Sequence, residues 1–229
     1  MTSKFSLDDF SLDQFDLLLF DLDGTLVDSA ADIAAAVDAT LLARNWSVAG
    51  VEQVRSWVGN GSRKLIERAL CFAIGEHNAE IHETVHSEFL LEYAKHNGPE
   101  TRVFDGVYEL LDYCSAAGKA MACVTNKPEH LATQLIAHLD MVKYFATIIG
   151  GDTFPQRKPD PTALLHCCNT LGVPAEKTLM IGDSETDVKS ARAANMKVLC
   201  VSYGYNHGGS VAEAAPDWLV DNLQELISA

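Results

Sequence analysis

Two carboxylates stand two residues apart in Asp21-Leu22-Asp23-Gly24-Thr25, directly after the apolar run Leu17-Leu18-Leu19-Phe20. Alone, the pair also reads as a turn, because Asp and Gly are turn formers. Three later segments favour a chemical reading: Val124-Thr125-Asn126-Lys127, Lys158-Pro159-Asp160-Pro161 and Ile181-Gly182-Asp183-Ser184-Glu185-Thr186-Asp187. Each residue type suits phosphoryl transfer. A carboxylate such as Asp21 can attack phosphorus and form an aspartyl phosphate. Mg²⁺ prefers hard oxygen ligands and keeps several waters, so Asp21 and Asp183 with a substrate phosphate would suffice to hold it. Lys158, Thr125 and Asn126 offer the cation and donors that the equatorial phosphoryl oxygens need. Asp23 can protonate a leaving alcohol and later take a proton from water.

These segments need a scaffold that brings them together. The run at Leu17 to Phe20 has the mark of a strand buried on both faces. Similar runs follow at Ala120 to Thr125, Thr147 to Gly150, Thr178 to Gly182, Val198 to Ser202 and Trp218 to Val220. Helical patterns alternate with them: Val107 to Ala117, Glu129 to Leu139, Pro161 to Leu171 and Thr186 to Asn195. The alternation predicts an α/β fold, a Rossmann-like parallel sheet flanked by helices. Ligands of such sheets sit beyond the carboxyl ends of the strands, where the acidic segments fall.

The stretch from Asp21 to the next strand is far longer than one βαβ unit, which takes about 30 residues. Its content is helical: Ala30 to Arg44, Glu52 to Val58, Ser62 to Ile74 and Asn78 to Lys95, closed by Asn97-Gly98-Pro99. The spacing predicts an inserted all-α domain over residues 29–98, above a core of 1–28 and 99–229. It would lie where a lid belongs.

The four ordered segments resemble the four motifs of the haloacid dehalogenase superfamily, in its phosphatase branch, and the insertion resembles that family's helical cap domain. The resemblance implies that Asp21 is nucleophile and Mg²⁺ ligand, and that Asp23 is the acid/base with its main-chain carbonyl on the metal. It further implies that Thr125 and Lys158 hold the phosphoryl oxygens, Asp183 ligates the metal, and Asp187 orients a metal-bound water or Lys158. Asp23 disfavours the dehalogenase branch. Trp57-Val58-Gly59-Asn60-Gly61-Ser62, Arg68-Ala69-Leu70, Ser202-Tyr203-Gly204-Tyr205-Asn206 and Asp28-Ser29 are similar to bacterial phosphoglycolate phosphatases. That implies 2-phosphoglycolate as substrate. Gly59, Asn60 and Gly61, ahead of a helix start at Ser62, would suit its carboxylate through backbone N–H groups, with Arg68 or Arg63 assisting. The same loop also reads as a plain interhelix turn. Other small phosphomonoesters (sugar phosphates or nucleotides), a β-phosphoglucomutase-like activity and a silent binding protein of the same fold are the alternatives.

Composition sets the bounds. The chain has 229 residues, 48% hydrophobic and 21% charged, with a formal net charge of −15 from 17 basic and 32 acidic side chains. No Lys/Arg cluster of the kind that tracks a phosphate backbone is present, which disfavours nucleic acid and anionic membranes. The partner expected is a small anionic phosphorylated metabolite, handled by a monomer or homodimer. No apolar run approaches the roughly 20 residues of a membrane span, and the acidic N-terminus reads as a solvated extension without a signal peptide, so a cytoplasmic location is expected. The six cysteines lie in apolar segments without CxxC pairing and read as reduced core thiols. His82-Glu83-Thr84-Val85-His86 matches HExxH, but inside the inserted helices it reads as a helix face and not as a zinc protease site. The remaining histidines, His77, His96, His130, His138, His166 and His207, read as scattered surface or core residues.

Overall fold

A computed structural model describes residues 7–75 and 78–228. The first six residues of the N-terminal extension and His77 lie outside the described residues. The chain opens with β1 (Leu17–Phe20) and β2 (Val27–Asp28), followed by α1 (Ala30–Ala43), α2 (Val51–Arg55), α3 (Ser62–Ile74) and α4 (Ala79–His96). It returns through β3 (Arg102–Val103) and α5 (Val107–Ala116), then alternates: β4 (Ala120–Val124), α6 (Glu129–His138), β5 (Thr147–Ile149), α7 (Thr162–Leu171) and β6 (Thr178–Gly182). The last elements are α8 (Glu185–Ala193), β7 (Lys197–Val201), β8 (Trp218–Val220) and the short α9 (Glu225–Ser228).

Six strands form one sheet in the order β5-β4-β1-β6-β7-β8, and every neighbouring pair is parallel. Alternation along β1 explains its wholly apolar sequence. Leu18 and Phe20 enter a core shared with α5, α6 and α9, through Leu110, Leu135 and Leu226. Leu17 and Leu19 enter the opposite core, shared with α7 and α8 through Leu164 and Val188. The sheet is therefore covered on both faces, which only continuous apolar strands tolerate. Register levels the strand ends: Phe20 pairs with Cys123 on one side and with Ile181 on the other. The residues just past β1, β4 and β6 consequently share one rim.

Helices α1 to α4 pack around a separate apolar cluster that includes Ile33, Leu41, Leu65, Leu70 and Phe89. Leu131 and Tyr205, from outside the insertion, join it. The two connections to this helical unit run side by side as an antiparallel ribbon, Val27 opposite Val103 and Asp28 opposite Arg102. Asp32 ties them further. Its buried carboxylate accepts the Gly98 and Glu100 N–H groups at 3.0 Å, and the Thr101 N–H and hydroxyl at 2.9 and 2.6 Å.

Three expectations need correction. The N-terminal segment is not a free extension from residue 7 onward: Phe10, Leu12 and Phe15 are buried in the core. Phe10 and Phe15 pack edge-on against Trp218, whose Nε1 donates to Asp9 Oδ1 at 3.1 Å. The apolar residues at 10, 12 and 15 outweigh the acids between them. Cys71 is exposed on α3, while the other five cysteines are buried and all six are free. The helix expected over Glu52 to Val58 ends at Arg55 and continues as a turn. Among the described residues no helix is long and apolar enough to cross a membrane.

Candidate active site

The chain leaves β1 at Asp21 and doubles back at once: Gly24 N–H donates to the Val27 carbonyl at 2.8 Å and Leu26 N–H to the Leu22 carbonyl at 2.9 Å. Gly24 takes φ +92°, and a Cβ there would stand 2.3 Å from Asp183 Oδ2. Only glycine satisfies both the backbone and the close approach of β6. Gly204 lies as near on the other side, where a Cβ would meet the Asp183 Cβ at 2.1 Å. The Asp183 carboxylate is thus set between two glycines, and its Oδ2 accepts the Tyr205 N–H at 2.6 Å.

Asp187 is held by the start of α8. Its Oδ2 accepts the Ser184 hydroxyl at 2.7 Å and the Ser184 N–H at 3.2 Å, one half of a capping box. Its Oδ1 accepts Lys158 Nζ at 2.7 Å. The same ammonium lies 3.0 Å from Asp21 Oδ1. That contact is an ion pair without hydrogen-bond alignment, so Asp21 Oδ1 remains a buried acceptor without a hydrogen bond.

Asp21, Asp183 and Asp187 each bring a carboxylate oxygen within 4.8 Å of the others, and all three are buried. One lysine leaves two negative charges there uncompensated. Burial pushes Asp21 up to about 6, against the pull of Lys158 and with the push of Asp187. Burial first, then the Asp187 and Asp21 charges, drive Asp183 well above the usual carboxylate range. An all-oxygen donor set, an orphaned carboxylate oxygen and a charge deficit of two fit a hard divalent cation.

Asp23 stands beside this cluster. Its Oδ1 accepts the Ser29 hydroxyl at 2.6 Å and lies 3.4 Å from Lys127 Nζ. Lys127 in turn hydrogen-bonds the Tyr93 hydroxyl of α4 and lies 4.2 Å from that ring's centroid. Burial draws Lys127 below the ordinary lysine value despite the Asp23 charge. Thr125 is buried after β4, its Oγ1 accepting the Lys127 N–H at 3.2 Å. Asn126 Nδ2 donates to the carbonyls of Lys158 and Gly59, both at 3.0 Å, and so joins the sheet rim to the helical insertion.

A cavity lies between the two parts. Asp21, Asp23, Thr125, Asn126 and Lys127 line it from the sheet; Gly59, Gly61 and Ser62 line it from the insertion, with an apolar wall of Ile33, Val58, Leu65 and Phe89. Asn60 and Arg68 do not face it. Arg68 is bonded to the Trp57 carbonyl and to Asn60 Oδ1, the latter at 2.8 Å. Asn60 Nδ2 reaches across to Thr186 Oγ1 at 3.2 Å. Arg63 points outward and pairs with Glu83. The glycines of the predicted loop therefore border the cavity, while its two candidate arginines do not.

Lys127, Tyr93, Ser29 and Tyr205 were not among the expected site residues. For Lys127 a signal existed, since it directly follows Thr125-Asn126 past a buried strand. Tyr93 gave none, because it shares an apolar helix face with Phe89. Tyr205 braces the first connection: its hydroxyl donates to Asp28 Oδ1 at 2.8 Å and accepts the Ser29 and Ala30 N–H groups at 2.8 and 3.1 Å. His82 and His86 stack with ring centroids 5.9 Å apart, and each ring meets the start of α3. His82 Nε2 meets the Arg63 carbonyl at 2.7 Å and His86 Nε2 the Ser62 hydroxyl at 2.9 Å. Both are buried against α3, not exposed on a helix face, and they fix the start of that helix.

An acidic rim on a parallel sheet, covered by helices inserted after the first strand, defines a class. The family of haloacid dehalogenase-like hydrolases matches residues 18–201, and the chain belongs to that family. Among its relatives is the phosphoglycolate phosphatase of Pseudomonas fluorescens Pf0-1, 45% identical over 207 residues that cover 90% of this chain and 76% of that protein. The phosphoglycolate phosphatase of Nitrosococcus oceani is 40% identical over 206 residues, 90% of this chain and 92% of its own length. The crystal structure of a predicted phosphoglycolate phosphatase from Haemophilus somnus 129pt superposes with a TM-score of 0.89 at 30% identity, covering 94% and 97% of the two chains.

Proposed function

We propose that the chain is a Mg²⁺-dependent phosphatase that hydrolyses 2-phosphoglycolate to glycolate and phosphate in the cytoplasm. Residues 29–98 act as the cap, and residues 1–28 with 99–229 as the catalytic core. The observation that carries the reading is the buried group of Asp21, Asp183, Asp187 and Lys158, with Asp23 alongside, opening into a cavity roofed by the insertion. The relatives named above support the choice of substrate.

In the first step an Asp21 carboxylate oxygen attacks phosphorus and the bond to the glycolate oxygen breaks. Asp23, held by Ser29, gives its proton to that departing oxygen. In the second step water attacks the phosphorus of the aspartyl phosphate, Asp23 takes a proton from that water, and Asp21 is released with free phosphate. Lys158 and Thr125 offer donors to the phosphoryl oxygens throughout. Asp21, Asp183 and the Asp23 main-chain carbonyl would hold the Mg²⁺, whose positive charge offsets that of the carboxylates and the phosphate. The cap wall keeps bulk water out during the first step.

A panel of phosphomonoesters assayed with Mg²⁺ tests this directly. Preference for 2-phosphoglycolate over sugar phosphates and nucleotides is expected, and equal rates across the panel would defeat the substrate assignment. Asp21→Asn should lower kcat by about 10⁴-fold or more. Turnover that persists in that variant removes Asp21 from the mechanism.

A further inference from the structure

The cavity holds a cation that neither chemical step uses. We propose that Lys127, assisted by the Tyr93 hydroxyl, recognises the carboxylate of the substrate and sets the preference for phosphorylated hydroxy acids. This rests on the reading of the chain as a 2-phosphoglycolate phosphatase and assigns the second anionic group of that substrate.

Position comes first. Asp23 acts at the leaving oxygen, so whatever lies beside Asp23 and away from Asp21 faces the rest of the leaving group. Lys127 Nζ stands 3.4 Å from Asp23 Oδ1, its side chain is buried, and the residue lines the cavity. Among the described residues lining the cavity it is the one cation. Three arginines of the insertion, Arg63 and Arg68 that were expected to assist and Arg55 on α2, are engaged elsewhere. Arg63 pairs with Glu83, Arg55 with Asp28, and Arg68 braces the Trp57–Asn60 loop.

Capacity comes next. Lys158 faces two carboxylates, Asp21 and Asp187. Lys127 faces one, and its other partner is a neutral phenol. An ammonium has three N–H donors, so one remains for a substrate oxygen. Tyr93 accepts from Lys127, which leaves its own hydroxyl hydrogen to be donated. A carboxylate can take both. The surrounding wall of Ile33, Val58, Leu65 and Phe89 offers no partner to sugar hydroxyls, and an unpaired buried hydroxyl is disfavoured.

The test compares 2-phosphoglycolate with 2-hydroxyethyl phosphate, which keeps the phosphate ester and replaces the carboxylate by a hydroxymethyl group. The wild-type enzyme with Mg²⁺ should favour the carboxylate substrate in kcat/KM. In Lys127→Met that ratio should fall on the order of 10- to 100-fold, the range of a charge-assisted hydrogen bond. Lys127→Arg, which keeps the charge, should retain part of the preference. If the Met variant does not fold, Lys127→Gln is read by the same ratio. A lysine that only props Asp23 would lower both substrates together, and an unchanged ratio overturns the proposal while leaving the substrate reading intact. A wild-type enzyme without preference would remove both.

Discussion

Two buried lysines stand beside neighbouring carboxylates of the site, Lys158 at Asp21 and Asp187 and Lys127 at Asp23, and they are not equivalent. Burial disfavours the charge on Lys158, but the Asp187 and Asp21 carboxylates more than reverse it and hold the ammonium above the ordinary lysine range. Burial acts alike on Lys127, yet Asp23 alone does not offset it, and that ammonium sits below the ordinary value. The count of carboxylates decides between the two. Lys158 belongs to a group of acids that still lacks positive charge. Lys127 belongs to a smaller group, between Asp23 and an apolar wall, that can accept a further anion. The first region suits a cation and the second an anionic tail, and both reach the cavity, the first through Asp21 and the second through Asp23 and Lys127.

The contrast can be broken at its strongest point. Lys158→Met leaves Asp21 and Asp187 buried without their counter-ion, and removal of one partner from such a group costs about 3–5 kcal/mol. Lys127→Met removes a group whose charged form is already disfavoured, and roughly 1–3 kcal/mol is expected. Urea denaturation in Mg²⁺-free buffer measures both. Equal losses would mean that the two lysines carry equal structural weight, and the distinction would fall.

A second measurement sharpens it through pH. Metal-free Asp21 is raised to about 6, above its value of 3.8 in an unfolded chain. Between those values the folded protein binds the proton that the unfolded chain has released, so this stability contribution is present at low pH and lost as pH rises through about 6. Asp183, also raised, acts with the same sign. Holding that proton from pH 3.8 up to about 6 makes the Asp21 share about 3 kcal/mol. Mg²⁺ replaces the proton, so the rise in Tm on adding Mg²⁺ should be larger at about pH 7.5 than at about pH 5. His86, lowered to about 4 chiefly by burial, has the opposite sign: its contribution is lost as pH falls from 6.5 toward 4. That loss is the same with and without Mg²⁺ and cancels in the difference. Asp183→Asn should abolish the pH-dependent Mg²⁺ shift, and Asp23→Asn should leave it. Loss of the shift in both would mean that the two regions titrate as one.

How much of this was legible depended on distance along the chain. Asp21, Thr125 and Asp183 each follow a run of buried strand residues closely, so local periodicity located them and parallel register placed them on one rim. Lys158 and Asp187 sit beside helix starts, another local signal. The cap side was harder. Whether Arg68 points into the cavity or onto the Trp57 carbonyl depends on how α3 packs, which no short pattern encodes. Tyr93 meets Lys127 across the domain junction, and its helix spacing marks it only as apolar core. The Val27–Val103 ribbon is two residues long on each side, too short to show alternation. Phe10 and Phe15 are buried against Trp218, which lies at the far end of the sequence.

The smallest expected effect concerns the loop that links the two regions. Asn60 bridges Arg68 and Thr186, and Asn126 holds the Gly59 carbonyl beside it. Asn60→Ala removes bonds that are partly exposed, so about 0.5–1.5 kcal/mol of cap-to-core attachment is at stake. Such a change should leave Tm nearly unmoved, because neither apolar core is touched. It should raise KM for 2-phosphoglycolate a few-fold, since the closed arrangement that brings Gly59 and Gly61 to the cavity becomes less populated. The ratio of 2-phosphoglycolate to 2-hydroxyethyl phosphate should not change, because closure serves both substrates alike while Lys127 distinguishes them. A change in that ratio would move part of the selectivity from the rim lysine to the cap loop.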